Sequence, residues 1–305
     1  MISIEGNIGS GKSTIIEKCK NFLEKKTYNQ YPEKFSKIMF LKDQNQINKI
    51  SFLKEPIEKW LNTIDECDGD NILDKFYKNP LRWGYSFQMN AFITKSKQIL
   101  NLISKNRILI TERSINSDNH VFTSILLEDK IMTSIEKILY SEWYYWIKDS
   151  FKIPDPNYYI YLKVDPDVAL SRIKKRSRDE EDGVSIEYLK KIEDKHNDWL
   201  LHLENTTVIN LNHDTNLVND IEIIYKILEV VDNVLSNDRF CDLEDKSIKN
   251  SLESDSTVGY LDRKYNLNLS KSTGKLMVFY IIPTFLVLVL GYVLQTTVFD
   301  FDIYF

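Results

Sequence analysis

MISIEGNIGSGKST, residues Met1 to Thr14, is the stretch that decides the fold. Gly6-Asn7-Ile8-Gly9-Ser10-Gly11-Lys12-Ser13 fits G-x-x-x-x-G-K-[ST] at every fixed position. A short apolar strand (Ile2, Ile4) precedes it and a helical stretch from Thr14 to Leu23 follows, the context that motif requires. Glycines let the backbone curl so that successive N–H groups point at one phosphate, and the following helix adds its positive end. The spacing predicts a nucleotide phosphate site at Gly6 to Thr14, with Lys12 reaching the terminal phosphates and Ser13 ligating Mg²⁺.

Outward from the loop, the chain alternates strands with helices. Predicted strands cover 50–54, 107–111, 157–164 and 207–211, and predicted helices cover 57–61, 71–78, 83–102, 135–146, 167–175, 186–203 and 218–235. That order implies an α/β fold with a central parallel sheet and helices on both faces. Lys25 to Asn48 is polar and mixed and reads as a surface segment, with a short apolar element at Ile38 to Leu41.

Two strands end in acids. In an open α/β sheet, ligands sit beyond the carboxyl ends of the strands. Glu55, fixed by Pro56 after the second strand, would elsewhere be an ordinary surface acid; beside a phosphate loop it is a candidate general base. Glu112 ends the third strand, where an acid can hold a metal's water shell. Gln88 and Lys95 are seven apart on one helix and share a face that would look into a pocket. Arg172 and Arg176 are four apart on one helix face, and Arg178 extends the cluster. Alone they would be a solvated face. Beside a phosphate loop they form an arginine-rich lid whose guanidinium forks match phosphate oxygens.

Bulk properties narrow the class. The chain has 305 residues, 43% of them hydrophobic, and a net charge of −5. An acidic chain is not an obvious nucleic-acid partner. Cys19, Cys67 and Cys241 are scattered and the four histidines lack ligand spacing, so neither disulfides nor zinc are indicated. Residues 276–299, LMVFYIIPTFLVLVLGYVLQTTVF, hold no charge, and their number exceeds the ~20 that an apolar helix needs to span a bilayer. The expected organisation is a body at 1–235, a flexible polar linker at 236–275 and a transmembrane helix at 276–299. Arg263, Lys264, Lys271 and Lys275 precede that helix, so the expectation is a single-pass tail anchor with the body in the cytosol.

Taken together, GNIGSGKST, KEPIEKW, FYKNPLRWGYSFQ, TERSINSD and RIKKRSRDEED resemble the deoxynucleoside kinase family, from Met1 to about Leu235. The resemblance implies a three-layer phosphate-loop sandwich that moves the ATP γ-phosphoryl group to the 5′-hydroxyl of a deoxynucleoside, with ATP and Mg²⁺ as cofactors. It further implies Glu55 as base, Arg113 beside it, Glu112 near Mg²⁺, and Arg172, Arg176 and Arg178 on the transferring group. Gln88 matches the amide that reads the nucleobase edge, Tyr77 and Glu181 the pair on the sugar 3′-hydroxyl, and Trp60, Phe87 and Phe122 the aromatic walls. Asp118 matches a carboxylate found where cytidine or purine bases are taken, which favours those over thymidine. The family pattern has arginine where Lys95 stands and another where Asn119 stands. Family members are commonly dimers, so a homodimer is expected. A competing expectation is a catalytically inactive, membrane-tethered nucleotide sensor or scaffold.

Overall fold

The computed structural model describes residues 1–103, 108–181, 183–212 and 217–236. The uncharged stretch at 276–299 lies outside these, and among the described residues no helix is long and apolar enough to cross a membrane.

Five strands form one parallel sheet: β1 (Ile2–Gly6), β2 (Ile50–Leu53), β3 (Ile108–Glu112), β4 (Tyr158–Lys163) and β5 (Thr206–Asn210), in the order β2-β3-β1-β4-β5. Every residue of β1 and β3 is buried, as expected of strands covered on both faces. Register places Ile2 opposite Ile110 and Tyr158, and Gly6 opposite Leu162. β1 is central: the chain leaves it for β2 beyond β3, returns to β3, and then crosses to β4 on the other side. The carboxyl end of β1 is therefore the switch point where such sheets open a crevice.

The main helices are α1 (Lys12–Glu24), α2 (Ile57–Leu61), α3 (Ile72–Lys78), α4 (Pro80–Ile103), α5 (Thr123–Glu128), α6 (Ser134–Ser150), α7 (Pro166–Arg176), α8 (Ile186–Leu200) and α9 (Leu217–Ser236). Ile2 and Ile4 face one apolar layer with Ile15, Ile16, Ile224 and Leu228 from α1 and α9. Leu109 faces the opposite layer with Phe92, Ile99, Tyr140 and Tyr144 from α4 and α6. These are the two outer layers of a three-layer sandwich. Local signals agree with the boundaries: Pro166 stands in the first turn of α7, and Thr133 and Glu136 form a reciprocal cap at the start of α6.

The expectation of a surface segment at 25–48 is corrected. That stretch folds into short helical turns, and Phe35, Ile38, Phe40, Leu41 and Ile47 are buried in the same layer as α1 and α9. Phe40 N–H donates to Asp232 of α9 at 2.9 Å. The short apolar element expected at Ile38 to Leu41 supplies Ile38, Phe40 and Leu41 to this buried set; the other apolar residues are too irregularly spaced to show either period, so the rest of the segment reads as polar surface. The predicted strand limits are otherwise met to within a residue or two.

Candidate active site

A cavity of about 620 Å³ opens at the carboxyl ends of β1, β2 and β3, a size typical of small-molecule sites. Its floor is the phosphate loop. Gly6, Gly9 and Gly11 all have positive φ, and Gly11 caps α1 in the left-handed region. A Cβ on Gly9 would stand 2.5 Å from the Ala169 carbonyl, and one on Gly6 2.5 Å from the Leu162 carbonyl. Only glycine fits at both. Asn7 braces the loop by donating from Nδ2 to the Leu189 carbonyl at 2.8 Å. Ile8, Ser10, Ser13 and Thr14 line the cavity with Gly9, Gly11 and Lys12. Lys12 Nζ donates to the carbonyls of Gly6 at 3.1 Å and Asn7 at 2.6 Å. Burial, reinforced by the Arg113 charge, brings its ammonium down to about 7.

Two acids meet above the loop. Ser13 Oγ donates to Glu112 Oε1 at 2.6 Å, and the Glu55 N–H donates to Glu112 Oε2 at 3.3 Å. Glu55 is gripped by Arg113, whose Nη1 donates to Glu55 Oε2 at 2.7 Å and whose Nη2 donates to the Gly6 carbonyl at 3.1 Å. Burial alone would raise the Glu55 carboxyl, but Arg113, Lys95 and Lys12 outweigh it and hold the group below its ordinary value. Glu55 is thus an ionised carboxylate at neutral pH, able to accept a proton. Arg113 itself has φ of 57°, a strained conformation that must be held by its surroundings.

The inner end of the cavity is lined by Trp60, Tyr77, Phe87, Gln88, Asp118 and Phe122. Trp60 meets Phe87 edge-on at 5.3 Å, and Phe76 stacks on Phe87 at 4.8 Å. The Arg113 guanidinium lies 5.1 Å from the centre of the Phe122 ring. Gln88 Nε2 donates to the Asp118 carbonyl at 3.3 Å. Asp118 and Phe122 sit at the two ends of a single π-helical turn, a feature frequent at functional sites.

Lys95 departs from expectation. It lies behind Asp118 and outside the cavity lining. Its ammonium donates to Asp118 Oδ1 at 2.8 Å and stands 3.7 Å from Glu55 Oε1. Two turns separate it from Gln88 on α4, and its side chain is buried against Asp118. Burial pushes the Asp118 carboxyl up to about 6 against the pull of Lys95. Asp118 Oδ2 has no partner within the protein.

Arg172, Arg176, Arg178 and Glu181 complete the rim. Glu181 accepts from Arg176 and, at 2.7 Å, from Arg178. Arg172 Nη2 donates to the Leu211 carbonyl at 2.8 Å. Two of the three expected lid arginines, Arg176 and Arg178, are therefore paired with the expected sugar-binding acid. Asn119 points elsewhere, accepting from Lys137 at 2.8 Å.

A family model for deoxynucleoside kinases matches residues 2–236. The chain belongs to the deoxynucleoside kinase family. It is an ATP-dependent kinase with an alcohol acceptor. The probable deoxycytidine kinase of fowlpox virus is 34% identical over 224 residues, covering 72% of this chain and 81% of the relative. Deoxycytidine kinase of Homo sapiens is 32% identical over 219 residues, covering 66% and 75%. The mitochondrial deoxyguanosine kinase of Xenopus laevis is 29% identical over 215 residues, covering 65% and 72%.

The hard oxygens of Ser13 and Glu112, brought together at the end of the phosphate loop, are the donor type Mg²⁺ selects. Among the described residues no group of three His, Cys, Asp or Glu could hold a metal alone. A Mg²⁺ ion in this kinase would accordingly take most of its ligands from phosphate and water. Sequence reasoning missed Tyr188, which lines the cavity from α8, and Leu73, Phe76 and Leu126. They carry no local signal, because a tyrosine or leucine at helical spacing reads as core.

Proposed function

We propose that this kinase transfers the γ-phosphoryl group of ATP to the 5′-hydroxyl of a deoxynucleoside, with Glu55 as general base. The carrying observation is the buried Glu55–Arg113 pair, which stands between the phosphate loop and the pocket holding Gln88 and Asp118. Glu55 takes the hydroxyl proton as the oxygen attacks phosphorus. A new O–P bond forms, the bond to the β,γ-bridging oxygen breaks, and ADP leaves. Lys12 and the lid arginines Arg172, Arg176 and Arg178 neutralise charge on the transferring group. Ser13 and Glu112 would hold Mg²⁺, which would supply positive charge against the phosphates.

Gln88 offers a donor and an acceptor to a base edge, and Asp118 Oδ2 is free to accept from an exocyclic amine. Cytosine and adenine carry such an amine and guanine a ring N–H with a 2-amino group, whereas thymine presents a carbonyl and a methyl group there. This supports deoxycytidine or a purine deoxynucleoside over thymidine, in keeping with relatives named as deoxycytidine and deoxyguanosine kinases. Tyr77 and Glu181 hold the sugar 3′-hydroxyl, and Trp60, Phe87 and Phe122 wall the base. A panel of the four deoxynucleosides with ATP and Mg²⁺ should yield monophosphate from deoxycytidine or a purine deoxynucleoside at the highest kcat/KM. Thymidine as the best substrate would refute the role of Asp118. No product from any nucleoside would favour the sensor reading.

Two further readings concern partners. The uncharged stretch at 276–299 supports attachment of the kinase unit to a membrane; deleting residues 274–305 should release the protein into the soluble fraction with activity intact. Persistent sedimentation with membranes would remove the stretch as anchor. The outer face of α6 supports a homodimer. Ile135 is 70% exposed and Ile138 57% exposed, and Leu139, Trp143 and Trp146 continue the same stripe. Ile138→Asp should halve the mass seen by light scattering if that face joins two copies.

A further inference from the structure

Glu5 stands outside the cavity lining and yet is wholly buried at the end of β1. Its Oε1 accepts three hydrogen bonds: from Ser3 Oγ at 2.7 Å, from the Ser114 N–H at 2.9 Å and from Ser114 Oγ at 2.7 Å. Its Oε2 has no partner within the protein. Burying a carboxylate with one oxygen unpaired is costly, and a fold needing only a filled space would place an apolar residue there. The three donors show what the charge holds. Ser114 is the residue after Arg113, and its hydroxyl also accepts from the Ser117 N–H at 3.4 Å, closing the turn that leaves β3.

Arg113 is thereby clamped from both sides. Its own N–H donates to the Ile4 carbonyl at 3.0 Å, and the next N–H is taken by Glu5. Left-handed backbone is unfavourable at a residue with a Cβ and persists only when over-determined. The clamp supplies that determination, and it aims the guanidinium at Glu55 and the Gly6 carbonyl.

We propose that Glu5 is a positioning residue for phosphoryl transfer: it fixes the turn at Ser114 and so sets the Arg113–Glu55 pair. This rests on the assignment of Glu55 as base. The test is Glu5→Gln, measured as kcat and nucleoside KM across pH, alone and combined with Glu55→Gln. Loosening Arg113 from Glu55 should lower kcat at least ~10-fold while nucleoside KM changes by less than ~3-fold. The acid limb of kcat should move up by about 0.5 pH unit or more, because Glu55 loses part of its cationic partner. In the Glu55→Gln background the added loss should shrink to less than ~2-fold, since the two act as one unit. A purely structural role would lower the melting temperature and leave the acid limb in place.

If Glu5→Gln does not fold, Ser114→Ala removes one of the three bonds and should shift the acid limb in the same direction by less. An unmoved limb in whichever variant folds, with Glu55→Gln severely impaired, overturns the positioning role alone. Wild-type turnover in Glu55→Gln overturns the base assignment and this inference with it.

Discussion

Lys12 is a buried cation, and its proposed role on the phosphates would couple its protonation to nucleotide binding. Its free value near 7 arises from burial and the Arg113 charge, so part of the population is neutral at pH 7. A polyphosphate stabilises the ammonium and raises that value. The complex then holds more protons than the free protein, and affinity must fall as pH rises through 7. Calorimetry with Mg²⁺-saturated ATP at pH 7, in two buffers of different ionisation enthalpy, should show uptake of about half a proton. Release, or no exchange, would mean Lys12 does not meet the phosphates. Lys95 carries a second prediction. It sits behind Asp118 against two carboxylates. Lys95→Arg should overpack the site and lower stability by about 1–3 kcal/mol, with no gain in the use of cytidine or purine substrates. Improved discrimination without destabilisation would place Lys95 in the pocket after all. Lys95→Met would leave Asp118 and Glu55 short of a cation, a loss of about 3–5 kcal/mol, read by chemical denaturation.

Elements were legible where chemistry and pattern coincided. Gly6 to Ser13 is readable because three backbone angles and one cation leave few alternatives, and the glycine contacts bear this out. Glu55 and Glu112 were readable because a strand end in a parallel sheet points at the crevice. Arg113 was visible only through its motif; neither its left-handed backbone nor the Glu5 clamp has a sequence signature, since both depend on β1 and β3 lying side by side. Lys95 misled because helical phase gives the side of α4 it occupies but not its depth. The segment at 25–48 misled because its apolar residues lack a period. Phe40→Ala tests that correction. Phe40 is buried in the layer with α9, and its truncation should cost about 3–5 kcal/mol. A change below about 0.5 kcal/mol, the range of surface positions, would return the segment to the solvent.

At the scale of the whole molecule, the sheet order gathers the site. Because β1 lies between β3 and β4, the phosphate loop, Glu112 and Arg113 meet at one end, and β2 adds Glu55 at the next position. The lid residues arrive from α7 beyond β4, so the two sides of the cavity belong to opposite halves of the sheet. Glu181 is held by Arg176 and Arg178 across that rim, which puts the acid proposed for the sugar and two of the arginines proposed for the phosphates in one network. The order of the strands was not legible in the sequence, which shows only that they alternate with helices.

The assignment of a single carboxylate as proton acceptor is decided by steady-state turnover of Glu55→Gln with ATP, Mg²⁺ and the preferred deoxynucleoside. We expect kcat to fall at least ~10²-fold with the nucleoside KM little changed and the acid limb of the pH profile gone. Wild-type turnover with the acid limb retained would contradict it.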